Sequence, residues 1–154
     1  MSSKAIKKQR SFSFKETEAV GESLARELLR AAKKKSAAVI ALSGDLGAGK
    51  TTFTQGFFRG LGLKKRAQSP TFIIMRRHAI PKGKFENVFH IDAYRLKKAE
   101  HLAALEFNKI LADAKNIILM EWPERAKKLL PKNAVWISFM HGKKENERTI
   151  SIKR

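Results

Sequence analysis

The sequence predicts an α/β fold in which helices cover both faces of a mixed β-sheet. The apolar run 37–42 is typical of a buried strand, and segment 52–61 is typical of a helix. Residues 44–51 between them read Gly-Asp-Leu-Gly-Ala-Gly-Lys-Thr and fit G-x-x-x-x-G-K-[ST] at every fixed position. Further apolar strands alternate with helical segments towards the C-terminus. Together these observations predict a P-loop NTPase-like three-layer sandwich with a mixed central sheet and an inserted β-hairpin.

The chain before the first strand is predicted to form a loose start and one helix. Residues 1–10 are polar and basic, and we expect them to form a flexible arm. Ser13 and Glu16 have the spacing of a capping box at a helix N-terminus. An apolar stripe follows at four-residue steps: Val20, Leu24 and Leu28. Residues 33–35, all lysine, fit a solvated helix end, where positive charge suits the helix dipole.

The hairpin is predicted beyond the helix that follows the glycine-rich loop. That helix carries Phe53, Phe57 and Phe58 on one side, and Gly62 favours its end there. Segment 71–91 contains two extended runs around turn residues at 81–84. A hairpin at this point makes the predicted sheet mixed.

The C-terminal half is predicted to supply a longer helix, a buried strand and a final strand pair. Residues 99–114 place apolar side chains at three- and four-residue steps, as an amphipathic helix does. Residues 117–120 are uniformly apolar, as in an inner parallel strand. A short helix is predicted before Pro131, and two strands are predicted at 134–140 and 148–152.

Composition limits the class of protein. The 154 residues include no cysteine and no apolar run near the ~20 residues that a transmembrane helix needs. We therefore expect a cytoplasmic monomer, without membrane contact, that forms one domain over residues 1–154. The net charge of +19 exceeds the roughly 2–8 charges that keep a small domain soluble. RNA or DNA is the favoured partner class, and a basic background or an anionic protein partner remains the alternative.

The loop at 44–51 points to nucleotide phosphates. Glycines let backbone N–H groups approach phosphate oxygens that a Cβ would hold away. In this pattern Lys50 reaches the β- and γ-phosphates, and the Thr51 hydroxyl binds Mg²⁺. A glycine-rich turn without function is the simpler interpretation, but the strand before the loop and the helix after it favour the phosphate site.

Two acids directly follow apolar strands, at the ends where open α/β sheets bind their ligands. Asp92 follows the strand at 88–91, and Glu121 follows the strand at 117–120. Because the second strand is uniformly apolar, we place it beside the loop strand and assign Glu121 to the metal, directly or through water. Asp92 is then expected to orient water, or to hold the metal ligands in place without contacting the metal directly. The residues themselves leave this division open, and a strand-end cap is an equally good interpretation of each acid taken singly.

Other polar and aromatic side chains near these motifs favour structural interpretations. Thr71 could act as a switch threonine but is better interpreted as the start of a strand. His90 is better interpreted as a packed core residue than as a proton relay. Tyr94 and Arg95 could lock the loop after Asp92 or contact a partner, and Trp122 is expected to pack.

Four sequence blocks resemble the TsaE family, also called YjeE, in their order and spacing. They are Gly44-Asp45-Leu46-Gly47-Ala48-Gly49-Lys50-Thr51-Thr52, Ser69-Pro70-Thr71-Phe72, His90-x-Asp92-x-Tyr94-Arg95-Leu96 and Glu121-Trp122-Pro123-Glu124. The blocks span most of the chain. Their combination is far more specific than the glycine-rich loop alone.

The resemblance implies a small ATPase that requires Mg²⁺ and takes part in the threonylcarbamoyladenosine (t6A) modification of tRNA at position 37. It implies work alongside TsaD and TsaB, which carry out the transfer. The residues implied to bind the nucleotide are Thr17, Asp45, Leu46, Gly47, Ala48, Gly49, Lys50, Thr51, Thr52 and Arg148. Thr51 and Glu121 are implied to hold the metal, and Asp92 and Lys50 are implied to serve hydrolysis. We expect weak turnover by the chain alone, because no certain arginine finger or water-positioning group is visible.

The chain departs from the family pattern at two positions and in its charge. His78 stands where family members usually carry tyrosine, and Glu106 stands where a glycine is common. Strong basicity is not typical of the family, so the charge is either a background of the lineage or an added affinity for tRNA.

Three other functions compete with this interpretation. A small-molecule kinase would need an arginine-rich lid and an acceptor pocket, and Arg76-Arg77 could serve as the lid, although a hairpin is poorly suited to that role. A GTPase would need Asn-Lys-x-Asp, and Asn108-Lys109-Ile110-Leu111 lacks the aspartate. A non-enzymatic RNA-binding module would explain the charge but not the loop.

Overall fold

The fold is organised around one mixed sheet, which has seven strands within the residues that the structure describes. This computed structural model describes residues 5–64 and 73–154. The strands are β1 (Ile6–Ser11), β2 (Ala38–Gly44), β3 (Met75–Ala79), β4 (Asn87–Asp92), β5 (Asn116–Glu121), β6 (Val135–His141) and β7 (Arg148–Lys153). Their spatial order is β1-β7-β6-β2-β5-β4-β3. β4, β5, β2 and β6 are parallel neighbours, whereas the pairs β1–β7, β6–β7 and β3–β4 are antiparallel, so the predicted mixed α/β sheet is confirmed.

Helices pack on both faces of the sheet because the inner strands are apolar on both sides. The α-helices are α1 (Phe14–Arg30), α2 (Lys50–Gly60) and α3 (Phe107–Ala112). Three 3₁₀ segments cover Ala93–Arg95, Ala99–Leu105 and Pro123–Leu129. One core cluster joins α1 and α2 to alternate strand residues such as Ile40 and Leu119. The other joins α3 and the 3₁₀ segments to Val39, Ile118 and Met120.

The N-terminal segment differs from the flexible arm that the sequence predicted. Residues 6–10 do not form a loose arm, because Ile6–Ser11 form β1 and pair along their whole length with β7; residues 1–4 lie outside the described residues. Without this strand β7 would present unpaired backbone groups at the edge of the sheet. Side chains secure it, since Arg10 pairs with Glu147 and the buried Ser11 hydroxyl lies 2.7 Å from that of Thr17. The strand residues are mostly polar, so no apolar alternation indicated a strand.

The prediction of one continuous helix at 99–114 is also wrong. The chain forms a 3₁₀ segment, Ala99–Leu105, and then the short α3. Glu106 separates them with φ of +57°, in the left-handed region that favours glycine. Two of the predicted apolar positions are nevertheless buried, because Leu102 and Phe107 enter the core from the two sides of the break, whereas Ala103 is exposed.

The predicted hairpin is present where the structure describes it, with β3 and β4 paired antiparallel through five residue pairs. The start predicted at Thr71, and the whole Ser69-Pro70-Thr71-Phe72 block, lie outside the described residues. None of the helices in the described part of the chain is both long and apolar enough to cross a bilayer.

Candidate functional site

The glycine-rich loop joins the end of β2 to the start of α2. Gly49 is the residue before α2 and has φ of +112°, and no side chain caps the helix. The first N–H groups of α2 are therefore open to a ligand beside the loop. A Cβ on Gly49 would lie 2.8 Å from the side chain of Arg148, and one on Gly44 would lie 2.7 Å from a backbone oxygen. Both glycines are thus required by local geometry as well as by the motif.

A cavity of about 660 Å³ opens at this loop, at the carboxyl ends of the parallel strands. It brings together most of the residues predicted to act on a nucleotide: Leu46, Gly47, Gly49, Lys50, Thr51, Thr52, Asp92, Glu121 and Arg148. Four further residues line it that were not assigned to the site: Phe14, Tyr94, Arg95 and Trp122. This is the location at which open α/β sheets bind ligands.

Three of the predicted nucleotide-binding residues do not line the cavity. Asp45 is exposed and contributes a backbone carbonyl to Lys50. Ala48 is a buried residue of the loop, and its N–H donates to the Asp45 carbonyl at 3.1 Å. Thr17 is fully buried, and its hydroxyl pairs with Ser11 below the cavity. Asp45 and Ala48 therefore contribute to the conformation of the loop rather than to the cavity wall.

The two acids lie side by side on the face of the sheet that α2 covers. Asp92 and Glu121 are direct partners in the register of β4 and β5, and Glu121 also pairs with Leu42 of the loop strand. Both side chains are more than nine-tenths buried. The strand of Glu121 is the neighbour of β2, as the apolar run predicted, whereas the strand of Asp92 lies one place further away.

The surroundings of Asp92 oppose its negative charge. Burial raises the pKa of the Asp92 carboxyl, and the Glu121 carboxylate beside it raises that pKa further. The Tyr94 N–H donates to Asp92 Oδ1 at 3.0 Å and acts in the opposite direction. A cation placed between the two acids would remove much of this cost.

His90 packs in the core, as predicted, and also contacts one of the two acids. Its Nε2 lies 3.3 Å from Glu121 Oε2, and its ring meets the edge of Phe58 with centroids 5.8 Å apart. Side-chain alternation in β4 explains the contact, because positions 90 and 92 face the same side of the sheet. His90 therefore orients the Glu121 carboxylate.

Lys50 is turned back onto its own loop. Its ammonium donates to the backbone carbonyls of Gly44 and Asp45, and it lies 4.3 Å from the centre of the Trp122 ring. Burial lowers the pKa of the Lys50 ammonium, while Glu121 and other nearby carboxylates act to raise it. Trp122 reaches this position from a left-handed backbone with φ of +56°, a conformation that is costly outside glycine. Trp122 therefore packs, as predicted, and the side chain it packs against is that of Lys50 in the loop.

Arg148 has unused hydrogen-bonding capacity in the cavity. Its side chain is buried, and its Nη2 donates to the Gly47 carbonyl at 3.3 Å. Nε and Nη1 are buried without a hydrogen-bond partner among the described residues. The guanidinium also lies 5.5 Å from the centre of the Phe14 ring. Such a group is well suited to an anionic oxygen of a ligand.

The donors available for a metal fit Mg²⁺ bound together with a phosphate. Within residues 5–64 and 73–154, no three His, Cys, Asp or Glu side chains form a cluster that could hold a metal by themselves. The Thr51 hydroxyl and the Glu121 carboxylate nevertheless line the same cavity. Mg²⁺ usually takes one or two protein oxygens and completes its shell with water and phosphate.

Comparisons with known proteins agree on one family. The family model described as "Threonylcarbamoyl adenosine biosynthesis protein TsaE" matches residues 12–150. A TsaE protein of Haemophilus influenzae is 34% identical over 119 residues, covering 77% of this chain and 72% of the relative. A Bacillus subtilis TsaE is 34% identical over 128 residues, covering 80% and 74%. The crystal structure of Bacillus subtilis YdiB superposes with a TM-score of 0.76 at 27% identity, covering 99% of this chain and 88% of that one.

Proposed function

This chain belongs to the TsaE family of tRNA threonylcarbamoyladenosine biosynthesis proteins, and from that premise we propose that it binds and hydrolyses ATP as an accessory protein of the t6A modification complex. In this proposal it acts with TsaD and TsaB, which carry out the transfer to tRNA. The observation that carries the proposal is the single cavity in which the phosphate loop, two buried acids and a partly unpaired arginine meet.

The loop and the start of α2 are proposed to bind the phosphates. Backbone N–H groups at 46–51 other than that of Ala48, which donates to Asp45, are proposed as the donors, and the positive end of the α2 dipole adds to them. Lys50 exchanges the carbonyls of Gly44 and Asp45 for phosphate oxygens when the nucleotide binds. Arg148 uses its unpaired Nε and Nη1 for an oxygen of the same ligand. The exchange replaces neutral carbonyl acceptors with charged phosphate oxygens, which stabilise a buried ammonium more strongly.

Thr51 and Glu121 are proposed to hold the metal, with His90 keeping the carboxylate in place. Mg²⁺, when bound, neutralises charge on the transferred phosphoryl group. Asp92 faces the same space and is proposed to orient the attacking water through its carboxylate. The strand order supports this division, because the Glu121 strand borders the loop strand and the Asp92 strand does not.

The finer expectations about the molecule are proposed on the same basis. We propose one P-loop domain of three layers over residues 1–154, monomeric when isolated and cytoplasmic. In support, one sheet joins elements from β1 near the N-terminus to β7 near the C-terminus. Both acids and the loop depend on that one sheet for their positions.

The kinase alternative has less support. Its candidate lid residues, Arg76 and Arg77, lie within β3, and Arg77 Nε donates to Asn87 Oδ1 at 2.7 Å across the hairpin. A pair of residues held in a sheet edge is a poor lid, because a lid must move over the phosphates. Phosphorylation of a nucleoside or metabolite by the isolated chain would revive this alternative.

The test is ATP hydrolysis by the chain alone, with TsaD and TsaB, and with both proteins and tRNA. We expect slow turnover alone and a clear increase with the partners. Lys50→Ala should lower the rate in the full assembly by about 100-fold or more, since it removes charge from the phosphate site. Lys15→Ala, at an exposed lysine of α1, is the matched control and should retain the parental rate. ATP binding without any association with TsaD and TsaB would overturn the proposal.

A further inference from the structure

Lysines form a row at the edge of the sheet where its parallel strands begin, opposite the phosphate loop. The parallel strands β4, β5, β2 and β6 all begin at this edge. The connection before each of these four strands contains lysine. We call six of these residues the basic edge: Lys33, Lys34, Lys35, Lys84, Lys115 and Lys132.

Lysines from separate elements of the basic edge surround one space. A cavity of about 260 Å³ is lined by Lys33 and Lys34 from the segment after α1, by Lys84 from the hairpin turn and by Lys115 before β5. Lys34 also lines a neighbouring depression together with Lys132. The topology and the cavities therefore agree that this is one continuous surface.

Few acids balance this charge. Glu86 pairs with Lys115 at 2.7 Å, and Glu27 is occupied by Arg154. Lys33, Lys34 and Lys35 are exposed, and none of the ion pairs found among the described residues involves them. The dipole of α1 explains positive charge at its own end, but Lys84, Lys115 and Lys132 belong to other elements. The helix end alone therefore does not account for the row.

We propose that the basic edge binds the phosphate backbone of RNA. Adjacent strands lie about 4.8 Å apart, so lysines before four neighbouring strands form a line of roughly 15 Å. A line of cations matches a polyphosphate chain. A lipid surface would instead favour exposed apolar anchors beside the charges. Ile6 is the one large apolar side chain of the described residues that is exposed at this edge.

The position of the basic edge separates RNA binding from nucleotide binding. The phosphate loop lies at the carboxyl ends of the same strands, so the two surfaces face opposite ends of the sheet. ATP should therefore not compete with RNA. The choice of tRNA as the RNA rests on the proposed function. The inference that the basic edge binds RNA rests on the positions of its lysines.

The test measures binding of fluorescently labelled, unmodified tRNA to the full chain by anisotropy at several KCl concentrations. The parent should bind with an affinity that falls steeply with salt, as phosphate contacts require. The triple variant Lys33→Glu, Lys34→Glu, Lys35→Glu should bind about tenfold or more weakly near 0.1 M salt and show a shallower salt dependence. A matched triple variant, Lys97→Glu, Lys98→Glu, Lys143→Glu, makes the same charge change away from the basic edge and should stay within about threefold of the parent.

The outcomes separate the alternatives. Equal losses in the two triple variants would overturn the proposal, since affinity would then follow net charge alone. A larger loss in the matched variant would place the RNA elsewhere and overturn it as well. The basic-edge variant is also tested with phosphatidylcholine vesicles that contain phosphatidylserine. If it lost binding to these vesicles but bound tRNA as the parent does, the edge would be assigned to an anionic lipid surface instead. Circular dichroism checks folding, and the alanine versions of both variants replace any that unfold.

ATP hydrolysis distinguishes a failure of this inference from a failure of the proposed function. The basic-edge variant should retain the parental rate without RNA, because none of its three residues lines the nucleotide cavity. A chain that hydrolyses ATP with its partners and does not bind tRNA through this edge would overturn only the RNA inference.

Discussion

At the scale of single residues, the candidate site contains charges that are costly without a ligand. Asp92 and Glu121 are buried side by side, and Lys50 is buried on backbone carbonyls beneath an indole ring. Arg148 has two buried nitrogens without partners in the described part of the chain. Sites that bind charged ligands commonly hold such groups in place before the ligand arrives.

Replacing Asp92 with Asn should stabilise the unliganded chain at neutral pH. The pKa of Asp92 is raised above its ordinary value of 3.8, so the folded state holds this proton more tightly than the unfolded state. Between the unfolded-state and the folded-state pKa of Asp92, the free energy of unfolding falls as pH rises. At higher pH the full decrease persists. The gain from Asp92→Asn should therefore be present at about pH 7 and shrink as pH falls towards 3.8.

Urea unfolding without nucleotide or Mg²⁺, at several pH values, measures that difference. Glu145→Gln, at an exposed carboxylate, is the matched control and should change the free energy of unfolding little at any pH. A gain from Asp92→Asn that does not change with pH would contradict the electrostatic explanation.

Replacing Arg148 with Met should separate ligand binding from stability. The substitution keeps an apolar chain beside Phe14 but removes the guanidinium, so we expect ATP affinity to fall by about tenfold. The unliganded chain should lose little free energy of unfolding, because two buried nitrogens without partners disappear with the guanidinium. Calorimetric titration and urea unfolding measure the two quantities. Unchanged affinity with a large loss of stability would make Arg148 a structural residue.

At the scale of elements, the contact between α1 and α2 positions the start of α2. The two helices approach through glycines. A Cβ on Gly21 would lie 2.1 Å from the backbone oxygen of Phe53, and one on Gly56 would lie 1.9 Å from that of Glu18. Such distances require the two helix backbones to separate if a methyl group is added. The start of α2, which is proposed to bind phosphates, would move with them.

The substitution Gly56→Ala should therefore lower the free energy of unfolding by about 3 kcal/mol or more, although alanine favours helices. Ser23→Ala, at an exposed position of α1, is the control and should change it by no more than about 0.5 kcal/mol. Thermal or urea unfolding measures both variants. A stabilised Gly56→Ala chain would show that the two helices can separate without cost.

At the scale of the whole molecule, the net charge of +19 opposes the compact state. Raising KCl from about 0.05 to about 0.5 M shortens the screening length from roughly 14 Å to roughly 4 Å. We expect the melting temperature to rise by several degrees, since about 1 kcal/mol corresponds to roughly 2–4 °C for a chain of this size. KCl is preferred because sulfate and phosphate are themselves candidate ligands of the site.

The same measurement on the basic-edge triple variant is the control. Each substitution of Lys by Glu lowers the net charge by two, so the rise in melting temperature with KCl should be smaller. An equal rise in parent and variant would mean that salt acts through something other than repulsion among positive charges.

Local spacing in the sequence was sufficient to determine the glycine-rich loop between a strand and a helix, the buried inner strand before Glu121 and the position of both acids at strand ends. These features depend on neighbours a few residues away, so a one-dimensional pattern contains them. The hairpin and the final strand pair were predictable for the same reason. The family also follows from such blocks, since each combines a local motif with a fixed spacing.

Only the tertiary structure decided which distant residues share the cavity. Strand order depends on packing the apolar faces, and it places β5 rather than β4 beside the loop strand. It also pairs β1 with β7, which turns a polar N-terminal segment into a strand. The pairing of β7 with β6, and of β6 with β2, brings Arg148 to a carbonyl of Gly47, 101 residues earlier in the chain. Contacts of this range leave no local pattern, because they are selected by the folding of the whole sheet, which also gathers the lysines at its opposite edge.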